Sequence, residues 1–203
     1  MVTALACAPD GEHFAWSDGS RLALCRTAGG AVFRRVLRKG VLLRALAFSA
    51  DSGHLAFIDG EQPVVFDLGR GTLVVGPSLL QAREAVGSVA FAAPGWRVRM
   101  VRTVFGEAGR VSEWWPADGS WHEVRLVEGM ERGWLSEDGR LLAWTRRTGL
   151  SFLDLETGEA MGAIETPGIP NLIRARFLDD EQVAAVDVNG QAKLFAWRRL
   201  LGA

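Results

Sequence analysis

Carboxylates are the side chains whose type and spacing first suggest chemistry. Asp10, Asp51, Asp138 and Asp179 recur along the chain, and glycoside hydrolysis needs two carboxyl groups flanking the scissile bond. Their neighbours point elsewhere, because they stand in Pro9-Asp10-Gly11, Asp51-Ser52-Gly53, Glu137-Asp138-Gly139 and Asp179-Asp180-Glu181. Asp in such company favours turns, its carboxylate accepting hydrogen bonds from nearby backbone N–H groups. Turn formation is therefore the first expectation for these residues, with acid catalysis as the alternative. The three histidines, His13, His54 and His122, lack metal-ligand spacing. Neither a glycine-rich phosphate loop nor a Gly-x-Ser-x-Gly elbow is present. The sequence predicts no catalytic site, no metal and no cofactor.

The interval between the turns carries the fold. With Gly11, Gly53, Gly95, Gly139 and Glu181 as markers, the steps are 42, 42, 44 and 42 residues. A four-stranded propeller blade takes roughly 40–45 residues. Each unit reads as short apolar runs between Gly- and Asp-rich turns; the second has Arg44 to Ser49, His54 to Ile58, Pro63 to Leu68 and Thr72 to Gly76. The units span about 1–39, 40–80, 84–128, 130–167 and 170–203, within one domain. Four units supply four strands and the last supplies three, giving nineteen. Helical periodicity is absent apart from a short candidate around Leu79 to Val86, for which a loop is the equal alternative. The expected fold class is all-β, a propeller of about five four-stranded blades with the last incomplete.

Leu46-Ala47-Phe48-Ser49, His54-Leu55-Ala56-Phe57 and Val64-Val65-Phe66-Asp67-Leu68 in the second unit carry a family resemblance. So do Trp134-Leu135-Ser136-Glu137-Asp138-Gly139 and Phe152-Leu153-Asp154-Leu155 in the fourth. These segments resemble WD-repeat β-propellers. Asp67 and Asp154 match the aspartate of that family's Trp-Asp pair, with Phe66 and Leu153 in place of its tryptophan. The family's Gly-His pair is missing from every unit, so its His-to-Asp hydrogen-bond network is not expected. The resemblance implies a non-catalytic protein-interaction scaffold or complex subunit. The alternative is a small-ligand or carbohydrate-binding propeller, with glycoside hydrolysis as its enzymatic extreme.

Positions where the repeats depart from one another are the candidates for specific function. Aligned on the turns, the first strands place Ala4, Ala45, Ser88, Arg132 and Arg174 in one column, and Ala6, Ala47, Ala90, Trp134 and Arg176 in another. Both columns lie on one face of their strands, since side chains alternate with period two. Arg132, Arg174 and Arg176 together would suit a carboxylate, a phosphate or an acidic peptide. Trp114 and Trp115 are adjacent on a strand and must point to opposite faces, with Trp121 following across a turn. Trp and Arg are enriched at interface hot spots, so these residues, framed by Arg97, Arg99 and Arg102, make a second candidate partner surface. Packing between blades is the competing expectation. Arg34, Arg35, Arg38 and Lys39 read as a solvated outer strand.

Closure is the open question of the architecture. Either five blades close tightly, with Leu200 and Leu201 as a stub of the missing strand, or they form an arc whose open edges need a protein partner. A bare blade face exposes apolar surface and free strand edges. The formal net charge of −1 gives no global attraction to nucleic acid. No apolar run reaches the roughly 20 residues of a membrane span, and the first residues lack the pattern of a signal peptide. Cys7 and Cys25 fall on strands too far apart for a disulfide and read as buried thiols of a reducing cytoplasm. Arginine heavily outnumbers lysine, as in GC-rich bacterial genomes.

Overall fold

The computed structural model describes residues 2–36, 45–78, 84–93, 96–104, 108–146, 149–166 and 172–202. Arg38, Lys39, residues 79–83 of the short candidate helix and the Pro94-Gly95 turn lie outside them. Residues 84–86, at the end of that candidate, are strand.

Nineteen strands form five antiparallel sheets, each a meander. Blade 1 holds β1 (Ala4–Cys7), β2 (His13–Ser17), β3 (Arg21–Arg26) and β4 (Ala31–Val36). In blade 2 are β5 (Leu46–Phe48), β6 (His54–Asp59), β7 (Gln62–Asp67) and β8 (Thr72–Val75). Blade 3 consists of β9 (Glu84–Ala92), β10 (Arg97–Val104), β11 (Gly109–Trp114) and β12 (Trp121–Val127). Blade 4 contains β13 (Gly133–Leu135), β14 (Leu141–Arg146), β15 (Gly149–Asp154) and β16 (Ala160–Glu165). Blade 5 has only β17 (Leu172–Phe177), β18 (Gln182–Asp187) and β19 (Ala192–Ala196). The chain is a five-bladed β-propeller with a three-stranded last blade.

Burial grades across each blade explain the sequence patterns. Middle strands such as β6 and β15 are buried at every position, because both faces are covered, and they read as continuous apolar runs. Outer strands such as β12 are mostly exposed and carry the charges of Trp121-His122-Glu123-Val124-Arg125. The four aspartates of the repeating turns do turn work: Asp10, Asp51, Asp138 and Asp179 each accept the N–H two residues on, at 2.8, 3.0, 3.0 and 2.8 Å. Ser49 and Ser136 reinforce two of these turns, each donating to its aspartate at 2.5 Å and accepting the N–H of His54 or Leu141.

Blades are joined by apolar clusters, which is where the stability lies. Burying a large aliphatic or aromatic side chain contributes about 1.5–3 kcal/mol. One cluster joins blades 1 and 2 and includes Leu24, Leu55 and Phe57, with Phe33 stacked on Phe66 at 4.4 Å. Others join blades 2 and 3 around Trp114, blades 3 and 4 around Met130, and blades 4 and 5 around Phe152 and Trp197. Among the described residues, no such cluster joins blade 5 to blade 1.

The end of blade 5 departs from the expected strand stub. Trp197–Leu201 forms a short helix, α1, closed by Gly202 in the left-handed conformation (φ 76°). Trp197 is fully buried and stacks on Phe152 with ring centroids 4.5 Å apart. Leu201 lies against Gly162 of β16, where an added Cβ would come within 2.9 Å of it. The helix thus packs on the outer strand of blade 4, and blade 5 has no fourth strand among the described residues.

Candidate functional site

The innermost strands of all five blades surround a central channel of about 210 Å³. Its walls include Ala4, Ala47, Ala90, Trp134, Arg174 and Arg176. Apart from Arg132, the residues of the two columns all lie in the channel lining. Their common face is the one each blade turns toward the next blade in chain order. Ala4 belongs to the cluster with blade 2, Ala45 to that with blade 3, Ala90 to that with blade 4, and Trp134 to that with blade 5. Hydrogen bonds run the same way. Ser88 accepts the N–H of Leu135 at 3.1 Å, and Arg132 Nη1 donates to the Leu172 carbonyl at 3.3 Å.

Arg174 and Arg176 occupy these forward positions in blade 5, on a face that no apolar cluster of the described residues covers. Both are exposed, and no carboxylate of the described residues pairs with either. Strand register extends their face across the sheet: Arg176 lies opposite Ala184 and then Leu194, and Arg174 opposite Val186 and then Ala192. Leu194 is 65% exposed. The opposite face, with Phe177, Val183 and Phe195, is buried against blade 4.

Blade 1 presents the complementary bare face. Leu5 pairs with Trp16, which pairs with Ala23 and then Arg34; Cys7 pairs with Phe14 and then Cys25. Leu5 is 60% exposed, and Cys7 is an exposed free thiol rather than a buried one. The reason is the same: in other blades these backward positions are filled by residues such as Phe48, Phe91 and Phe177, each packed on the preceding blade.

The third-blade candidates divide differently. Trp114 is fully buried between blades 2 and 3, which leaves it no area for a partner. Trp115 is half-buried beneath the Arg97 guanidinium, 5.4 Å from its ring centre. Trp121 is 43% exposed, with Arg102 at 5.5 Å. Trp134 is buried at the channel wall. Arg99 is structural: its Nε donates to buried Glu113, Nη1 donates to the Gly139 carbonyl at 2.8 Å, and Nη2 pairs with Glu156 at 2.8 Å. It ties blade 3 to blade 4.

His54 lies between Asp51 and Asp67, at 3.7 and 3.8 Å, beyond hydrogen-bond reach, and meets Trp96 edge-on with ring centroids 3.6 Å apart. Asp10, Glu12 and His13 bring ligand atoms within 4.8 Å of one another on the first hairpin turn. Both acids there are exposed, and Asp10 already caps the Glu12 amide. Glu137 is the single carboxylate among the described lining residues of the channel, whereas the two-carboxylate mechanism needs a pair. Asp154, the Trp-Asp counterpart, is held below its usual range. Burial alone would raise it, but hydrogen bonds from Arg140 and from the N–H groups of Thr157 and Glu156 outweigh that.

No family model matches the chain, and no curated protein matches it. Among solved structures it is similar to a Kuenenia stuttgartiensis hydrazine synthase chain, with a TM-score of 0.65 and 15% identity over 91% of this chain. The match spans 55% of that chain's length. At this identity the likeness shows the propeller fold alone. No helix among the described residues is long and apolar enough to cross a membrane.

Proposed function

We propose that the chain is a non-catalytic interaction module, a propeller that seats another protein against the uncovered faces of its end blades. One observation carries this reading. Blades 2, 3 and 4 bury both faces in apolar clusters, whereas blades 1 and 5 each bury one. The bare faces expose Leu5, Val36 and Leu194 at 60, 79 and 65%. Contiguous exposed apolar surface of this kind marks sites of protein contact. The channel supports the same reading, since Glu137 is the one carboxylate among its described lining residues and its arginines suit recognition better than proton transfer.

Light scattering coupled to size-exclusion chromatography tests it, alongside binding of an apolar fluorescent dye. Self-association, or dye binding that Leu194→Asp and Leu5→Asp diminish, is the expected result. A monodisperse monomer that leaves the dye dark would sink the proposal.

A further inference from the structure

The forward column changes from small to large or charged side chains in blade 4, where Arg132 reaches the Leu172 carbonyl of blade 5, and only in blade 5 are both of its positions charged. In blades 1 to 3 these inner positions are Ala or Ser, small enough for the next sheet to approach closely. Trp134 fills the space in blade 4. In blade 5 the same two positions are Arg174 and Arg176. Placed against the backward face of blade 1, two exposed guanidiniums would meet Leu5, Phe14 and Trp16, which offer them no acceptor.

The charge on both walls has one sign. The forward face of blade 5 carries Arg174 and Arg176 beside Ala184, Val186 and Leu194. The backward face of blade 1 carries Arg21 and Arg34 beside Leu5 and Trp16. The strand positions on these two faces include no carboxylate. This contrasts with the joined blades, where charge is answered across the boundary: Arg35 of blade 1 meets Asp59 of blade 2 at 2.6 Å, and Arg99 of blade 3 meets Glu156 of blade 4.

We infer that the bare faces of blades 5 and 1, on either side of the channel, bind a protein segment that is both acidic and apolar. Its carboxylates pair with Arg174, Arg176 and Arg34, and its apolar side chains cover Leu194, Leu5 and Trp16. This rests on the interaction reading above and specifies the partner's chemistry. Guanidinium binds carboxylate through two parallel N–H donors, which four exposed arginines offer here. The flanking surface is aliphatic and indole, and the chain's net charge is −1, so a peptide fits better than a polyanion such as nucleic acid. A basic partner is excluded by repulsion on both walls.

Fluorescence anisotropy with a labelled peptide of alternating Glu and Leu tests this, using the full chain. Counterparts with Gln or Lys in place of Glu, and a short oligothymidine, serve as comparisons. The acidic peptide should bind at least about tenfold tighter than the Gln peptide, the equivalent of one good charge pair. The Lys peptide should not bind. Arg174→Glu combined with Arg176→Glu should weaken the acidic peptide at least about tenfold while leaving the thermal melt unchanged, both residues being exposed. Raising the salt concentration should weaken it in the native protein too. Equal binding of Glu and Gln peptides, lost in Leu194→Asp, overturns the acidic chemistry but leaves the interaction reading standing. Preference for oligothymidine overturns it in favour of nucleic acid. Binding of no probe also overturns it, and if the protein is in addition a dye-silent monomer, the interaction reading falls with it.

Discussion

Arg99 and Glu113 are both 2% exposed and opposite one another on β10 and β11. Burying two charges costs several kcal/mol per ion, which their attraction offsets only when the remaining donors are satisfied. Here they are, by the Gly139 carbonyl and Glu156. Glu113→Ala would strip Arg99 of its nearest counter-charge, and urea unfolding should show a loss of about 3–5 kcal/mol. Asp154 supplies a pH signature. Its carboxyl is lowered in the fold from the usual 3.8. The stability it contributes is therefore present above the unfolded value and is lost as pH falls through the folded one. Thermal melts below about pH 4 should fall less steeply for Asp154→Asn than for the parent chain; parallel acid limbs would refute this. The sequence marks the turn aspartates plainly, because their partner is a backbone N–H two residues away. It hides the Arg99–Glu113 pair, whose contact depends on strand register fourteen residues apart.

Strand boundaries were legible because each blade is punctuated by residues with local causes: Asp-Gly at β-turns, Gly139 at φ 69°, Gly158 at φ 74°. Which face a strand residue takes was legible as alternation, but not which neighbour that face meets. Trp114 and Trp115 were separable into opposite faces, yet only the packing shows Trp114 as the buried one. Helix α1 was not legible at all. Five residues make barely more than one helical turn, too short for periodicity, and the segment is held by burial of Trp197 rather than by propensity. Trp197→Ala should cost about 3–5 kcal/mol, as deletion of a large buried aromatic does, measured by chemical denaturation. Within blade 4, a Cβ added at Gly149 of β15 would run into the backbone carbonyl of Ile164 on β16. The obstacle is backbone, not a flexible side chain. Gly149→Ala should therefore destabilise by about 1–3 kcal/mol, the usual cost of overpacking, and a neutral result would mean that β15 and β16 separate easily.

Across the whole molecule, each blade contacts only its neighbours, so stability approximates a sum of blade and interface contributions. Blades 2, 3 and 4 each have two apolar interfaces, and blades 1 and 5 have one. The two columns on one face of the first strands could be aligned from sequence, but that Arg174 and Arg176 fall on a face without a neighbour among the described residues required the arrangement of the sheets. The asymmetry has a measurable consequence. Opening an end blade sacrifices one interface, whereas opening an interior blade sacrifices two, so local unfolding should begin at the ends. Hydrogen exchange should then show the amides of β2 and β18 less protected than those of β6, β10 and β14, although all five are inner-sheet strands. The acidic Glu-Leu peptide should raise protection in β2 and β18 selectively, because a ligand that binds only the folded faces stabilises the elements that form them. Uniform protection across the five blades in the free chain would show that blades 5 and 1 bury each other in solution, and that no partner surface lies between them.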